Sequence, residues 1–364
     1  FRTCCPGIDI MNNIDKPVVI TGGAGFIGTN LAARLLEKGH RIIIVDNLSR
    51  SGSQRNLQWL FDKYSNLLQV NICDIRDSYK MSEIIKMAGT VFHFAAQVAV
   101  TKSVENPVED FKVNVEGTLN ILESIRRSDD PPFLVFTSTN KVYGKLSNVK
   151  LVEKGLRYHP VSDIYCNGIN ENTLLDFQSP YGCSKGSADQ YILDYCRTYD
   201  VPASVFRMSC IYGPHQFGTE DQGWVAYFLF RIIQNLPITI YGDGKQVRDI
   251  LYIDDLLEAF ELVVKNKENC NGHAFTIGGG PSNSISILEC IQLLQRHCAK
   301  FPPLSFAPWR NGDQYYYVSD TSKFNNLTGW KPSVDIESGI SRLYEWVSAF
   351  ISSEESSVVK EKTI

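Results

Sequence analysis

The run TGGAGFIG at residues 21–28 constrains the fold of this chain more than any other segment. It follows a short apolar run, VVITG at 18–22. It precedes a stretch with Ile27, Leu31, Leu35 and Leu36 at helical spacing, which predicts a helix over 26–38. Gly22, Gly25 and Gly28 thus form a glycine-rich turn between a buried strand and a helix. Glycine allows the tight turn and lets backbone N–H groups approach a pyrophosphate, and the helix N-terminus adds a field that favours the anion. A second strand is read at 42–46, IIIVD. Its last residue, Asp46, is placed where a carboxylate can bind a ribose diol. A carboxylate there would repel a 2′-phosphate, so NAD is expected rather than NADP, although Arg50 nearby pulls the other way. No G-x-x-x-x-G-K-[ST] run is present, which excludes a P-loop nucleotidase.

The strand–helix alternation continues. Strands are expected at 91–96, 133–138 and 203–209, with a strand-like segment LLQVNICDI ending near Asp74 and Ile75. Helices are expected over 107–127 and 181–199. Alternation of this kind implies an α/β fold, a Rossmann-type doubly wound parallel sheet covered on both faces. The C-terminal third is richer in Gly, Pro and aromatic residues and reads as a smaller substrate-binding lobe. The expected division is 11–206 plus 238–265 for the dinucleotide domain and 207–237 plus 266–350 for the lobe. Residues 1–10 and 351–364 are expected as flexible ends.

Composition excludes several function classes. The 364 residues carry 36 Lys+Arg against 40 Asp+Glu, a net charge of −4, so no basic excess points to nucleic acid. No apolar run is long enough for a membrane span. The ten cysteines show no CxxC and the six histidines no metal motif; the expected setting is cytoplasmic, with reduced thiols and no metal.

Residues 181–185 read YGCSK. Tyr181 and Lys185, four apart on a helix, share one face. A neighbouring ammonium would stabilise a phenolate and make Tyr181 a usable base near neutral pH. Thr139, at the end of the strand FLVFTST, could hydrogen-bond the same substrate oxygen. Taken alone, Y-x-x-x-K is common as an ordinary surface pair; it gains meaning beside the glycine turn, Asp46 and Thr139.

TGGAGFIG, TSTNKVYG and SPYGCSK, in that order, resemble the extended short-chain dehydrogenase/reductase family, from residue 17 to about 350. The resemblance implies an NAD-binding domain, a nucleotide-sugar lobe and a Thr139–Tyr181–Lys185 catalytic set. It also implies a cofactor site that includes Phe26, Ile27, Asn47, Ser49, Arg50, Asp74, Ile75, Ala95, Ala96, Gln97 and Asn114. Family dehydratases carry Asp and Glu after the catalytic Thr; here Asn140 and Lys141 stand there, which argues against elimination of water. The stretches LDFQSPYGCSKGSADQYILDY, EDQGWVAYF and GDGKQVRDIL are most similar to the epimerases that invert CDP-hexoses at C2, and the long insertion between Tyr143 and Tyr181 adds to that similarity. The substrate would then be a CDP-hexose, met by Thr139, Asn140, Lys141, Gln222, Trp224, Arg248 and Arg310, in a homo-oligomer (tetramer or dimer). Two readings stay open: a nucleotide-sugar 4-epimerase of the UDP-glucose type, and a non-catalytic NAD-binding sensor.

Overall fold

Seven strands form one parallel sheet in the computed structural model, which describes residues 16–296, 301–310 and 312–361. They are β1 (Val18–Thr21), β2 (Ile42–Asp46), β3 (Leu68–Ile72), β4 (Thr90–His93), β5 (Phe133–Thr139), β6 (Ala203–Met208) and β7 (His273–Ile277). The order across the sheet is β7-β6-β5-β4-β1-β2-β3. All six pairings are parallel. Strands β1, β4 and β5 are buried along their whole length, as expected of central strands covered on both faces. Two apolar cores lie against the sheet, one containing Ile20, Phe92 and Phe206 and the other Val19, Val91 and Leu134. These residues alternate along β1, β4 and β5–β6, so the two sets face opposite sides. Strand order reverses between β1 and β4, and this opens a crevice at their C-terminal ends.

The expected elements form with three instructive shifts. The strand read at 91–96 stops at His93, and residues 94–97 become the loop that borders the crevice. The single helix read over 107–127 is three pieces: Pro107–Phe111, a π-helical turn Lys112–Glu116, and Gly117–Arg126. The catalytic-motif helix begins earlier than expected, at Ser179, and runs to Tyr199.

The lobe is divided differently from the sequence reading. Residues 238–252 were assigned to the dinucleotide domain, yet Ile238–Tyr241 pairs with Leu304–Ala307, and Val247–Tyr252 pairs with Ser284–Ser286, Tyr316–Tyr317 and Cys210–Tyr212. Conversely, residues 273–277 were assigned to the lobe and instead close the main sheet as β7. Partner strands lie far apart in sequence, so no local signal says which sheet a strand joins. Helix Ile336–Glu361 continues through 351–361. It is anchored where Trp346 and Phe350 pack on Phe217 and Phe230, and by a Glu354–Arg55 ion pair at 2.8 Å. The expectation for residues 1–10 lies outside the described residues. No described helix is long and apolar enough to cross a membrane.

Candidate active site

The glycine turn makes a cradle with no room for side chains. Gly22 adopts φ +68°, and a Cβ on it would sit 2.7 Å from the Ala95 nitrogen. A Cβ on Gly28 would meet the Gly22 carbonyl oxygen at 2.4 Å, so this residue packs the helix directly on the turn. Helix Phe26–Glu37 opens at Phe26 with no side-chain cap, which leaves its first N–H groups toward the crevice. Asp46, at the end of β2, accepts from the backbone N–H groups of Ala24 (3.0 Å) and Leu48 (2.8 Å). The cradle and the carboxylate together fit a dinucleotide. Asn47 and Ser49 are exposed beyond Asp46, and Asn47 donates to Asp74 at 3.0 Å. Asp74 is also held by Arg76 through two bonds of 2.9 Å, which lower its pKa to about 2. Ile75 is not a surface contact: its side chain is buried and fills the space beside Gly117.

Across the crevice, Thr139 ends β5 and Tyr181 enters from its helix; both are buried. The Thr139 hydroxyl donates to Asn140 Oδ1 (3.3 Å) and accepts from the Lys141 backbone N–H (3.2 Å). Burial pushes the Tyr181 phenol up to about 12, with a further upward push from the charge of Asp110, opposed by Thr139 and by the charge of Arg50. The Lys185 ammonium sits 4.0 Å from the centre of the Phe136 ring, and its own pKa is pushed down to about 7 by burial. Arg50 in turn donates to the side chain of Gln222, so it spans from the Asp46 end of the crevice to the lobe.

Asn114 ties these parts together, and it lies in the π-helical turn. Such turns often mark functional positions because they re-aim one side chain. The Asn114 amide donates to the Gln97 carbonyl (3.0 Å) and to Ser184 Oγ (2.9 Å), and accepts from the Gln97 backbone N–H (2.9 Å). Loop 95–97 and the Tyr181 helix are thereby held in one register. A second chain was not legible in the sequence. His93 at the end of β4 lies 2.7 Å from the Thr21 hydroxyl and 3.0 Å from the Thr118 hydroxyl. Thr118 donates onward to the Asn114 carbonyl (2.6 Å). Thr118 therefore accepts from His93 Nε2–H, and Nδ1 accepts from Thr21.

The lobe presents cations to the same region. Lys141 donates to the Gly312 carbonyl (3.1 Å) and lies 3.8 Å from Asp313. Burial and the nearby Arg248 push its pKa down to about 8. Arg248 is buried and donates to the Val247 carbonyl (2.8 Å). Among the described residues no carboxylate lies within ion-pair distance of it. Asn140 packs on Gln314, which donates to the carbonyls of Asn140 and Gly144. Arg310 is already engaged, with Asp221 at 3.2 Å and the Tyr241 ring at 3.7 Å. Trp224 is half-buried; its indole N–H reaches the Cys210 sulfur (3.5 Å) and its ring packs edge-on to Phe228.

Residues 19–343 match the family described as GDP-mannose 4,6 dehydratase. The chain belongs to that family. Within its wider relationships it is 43% identical over 339 residues to CDP-paratose 2-epimerase of Salmonella typhi, an alignment covering 91% of this chain and 99% of that protein. Among solved structures, UDP-glucose 4-epimerase of Thermotoga maritima with UDP-glucose superposes with a TM-score of 0.78 at 30% identity, covering 92% and 99% of the two chains. The Thermus thermophilus UDP-glucose 4-epimerase complex with NAD gives 0.76 at 30% identity, covering 91% and 99%. Family membership makes this chain a nucleotide-sugar epimerase or dehydratase by kind, with the Rossmann-type fold described above.

Proposed function

We propose that the protein inverts a CDP-hexose at C2 by transient oxidation of the sugar and reduction from the other face. The observation that carries this reading is the composition of the site: a buried Thr139–Tyr181–Lys185 set whose next residues are Asn140 and Lys141 rather than a pair of carboxylates. The Asn140 amide cannot transfer a proton near neutral pH, so Asn140 and Lys141 cannot both replace the acid and base of a dehydration. The high identity to a CDP-paratose 2-epimerase supports the substrate and the position of inversion.

The glycine cradle and Asp46 would hold NAD, which would supply the hydride acceptor and donor, so that the cycle has no net redox change. Tyr181 takes the proton from the C2 hydroxyl and returns it at the end of the cycle. Thr139 bonds the reacting oxygen. Arg50 and Thr139 favour the phenolate against the cost of burial. Lys141 and Arg248 repel one another, and a diphosphate between them would relieve that repulsion while taking charge-assisted bonds from Arg248. Asn114 and Gln97 hold the cofactor-side loop against the catalytic helix. By the same reading the chain acts as a homo-oligomer, tetramer or dimer, which sedimentation of the purified protein checks.

The test is product analysis by NMR in deuterated buffer with CDP-paratose, CDP-glucose and UDP-glucose offered separately. Inversion at C2 of a CDP-sugar with the carbon-bound hydrogen retained is expected. Inversion at C4 of UDP-glucose, with CDP-sugars untouched, would overturn the substrate assignment.

A further inference from the structure

The helix that carries Tyr181 and Lys185 is joined to the main sheet by a buried ion pair that the mechanism above does not use. Asp189 lies one turn after Lys185 on the helix Ser179–Tyr199, so the two side chains share a face. It is 0% exposed, and its partner Arg207 on β6 is 4% exposed. The Arg207 guanidinium grips both carboxylate oxygens: Nε donates to Oδ2 and Nη2 to Oδ1, each at 2.9 Å. Its remaining nitrogen, Nη1, donates to the Tyr143 hydroxyl (3.4 Å), which also lies 3.1 Å from the Thr276 hydroxyl on β7. Tyr143 ends the 3-10 turn Asn140–Tyr143 that follows Thr139, and its buried ring stacks on Tyr317. In the sheet, Arg207 stands opposite Ser138, the residue before Thr139.

Stability alone does not account for this pair. Taking two charges out of water costs about what their attraction returns, and a well-packed apolar pair of similar volume is often as stable or more so. What an apolar pair lacks is direction. The guanidinium fork is planar and rigid and meets a carboxylate in one plane. Two bonds of equal length therefore fix where Asp189 stands along the helix axis and how the helix is rotated about it. The bond from Nη1 to Tyr143 brings the turn after Thr139 into the same frame. Lys185 is one turn back from Asp189 and Tyr181 two, on the same helix. The pair thus sets where Tyr181 stands relative to Thr139, and a misplacement of about 1 Å in a catalytic arrangement costs about 10²-fold in rate.

We propose that Asp189 and Arg207 are positioning residues of this site: their buried two-bond pair locks the Tyr181–Lys185 helix in register with the turn that carries Thr139, Asn140 and Lys141. They act through Tyr181 and Thr139, not on the sugar. The kinetic consequence rests on the epimerase reading above; the geometric claim does not.

The test is Arg207→Lys in the full chain, which keeps both charges and removes only the fork. For whichever of the three nucleotide sugars the wild type converts, R207K should lower kcat by about 10²-fold while KM and the NAD released on denaturation stay as in the wild type. Asp189→Leu combined with Arg207→Met removes the two opposite charges together and fills their space, so it should keep the wild-type thermal midpoint and show the same loss in kcat. Wild-type kcat in either folded variant makes the pair merely structural and overturns the proposal, as does a loss carried by KM alone. Protein labelled with 13C at the tyrosine Cζ reports Tyr181 directly by NMR, with its resonance assigned from Tyr181→Phe. That resonance should move in R207K, and an unmoved one overturns the proposal whatever the substrate proves to be. A moved resonance in a protein whose wild type converts none of the three sugars upholds the pair and removes the substrate assignment instead. Should R207K not fold, the double variant is held to the same outcomes.

Discussion

At the scale of single residues, the chemistry rests on burial as much as on identity. Tyr181→Phe removes one hydroxyl from a packed position, so it should leave the fold and NAD retention intact. Turnover should fall by about 10²–10⁴-fold, the usual contribution of a positioned acid–base group, as steady-state product formation would show. His93 gives a pH prediction. Burial holds its folded pKa at about 3, well below the ordinary imidazole value of 6.5. The unfolded chain therefore binds the proton more readily, and the stability contributed by neutral His93 is full above pH 6.5 and lost as pH falls from 6.5 toward 3. The slope approaches roughly 1.4 kcal/mol per unit in the middle of that window. Urea midpoints measured against pH should show this decline, and His93→Asn should flatten it. The type and spacing of Tyr181, Lys185, Thr139 and Asp46 were legible because each sits in a local motif. Asp189 and His93 were not, because a single Asp or His inside an apolar pattern carries no signal until its neighbours from other elements are known.

At the scale of elements, the glycine turn and the π-turn do the positioning. Gly28→Ala should separate the first helix from β1, because its methyl would overlap the Gly22 carbonyl oxygen at 2.4 Å and Gly23 Cα at 2.6 Å. Loss of cofactor retention and a destabilisation of several kcal/mol are expected, within the range of overpacking and backbone strain. Gly39→Ala is the control. Gly39 has φ +85° but open space around it, so only the left-handed conformation is penalised, at about 1 kcal/mol. Thermal denaturation of the two variants separates the cases. The helix after β1 and the apolar central strands were readable from periodicity, whereas the helices Ser53–Tyr64 and Ser78–Ile85 were not read. The π-turn was not, because inserting one residue into a helix leaves the apolar spacing nearly unchanged. What it changes is the direction of Asn114, and only the contacts to Gln97 and Ser184 reveal that.

At the scale of the whole molecule, stability depends on joints between distant segments. Glu261, buried on the helix Ile253–Lys265, accepts two bonds from Arg34 (3.0 and 2.8 Å) on the first helix and pairs with Lys38. Glu261→Gln should cost about 1–3 kcal/mol in chemical denaturation, because it leaves two cations facing an uncharged group. The loss should shrink in high salt as those cations are screened. The joint also fixes how the segments after β6 sit against the cofactor domain, and here the sequence was least informative. Residues 238–252 and 273–277 each have good strand character, yet which sheet they enter depends on partners at 210–212, 284–286, 304–307 and 203–208. The sequence by itself determined the parallel α/β sheet and the glycine-rich turn beside Asp46, because these follow from short-range periodicity and from residues with few alternative uses. Only the tertiary structure decided which sheet each strand after β6 joins and how deeply Tyr181, Lys185, His93 and Arg248 are buried. Those depend on which side chains are removed from water together, and burial is a property of the folded chain rather than of any segment.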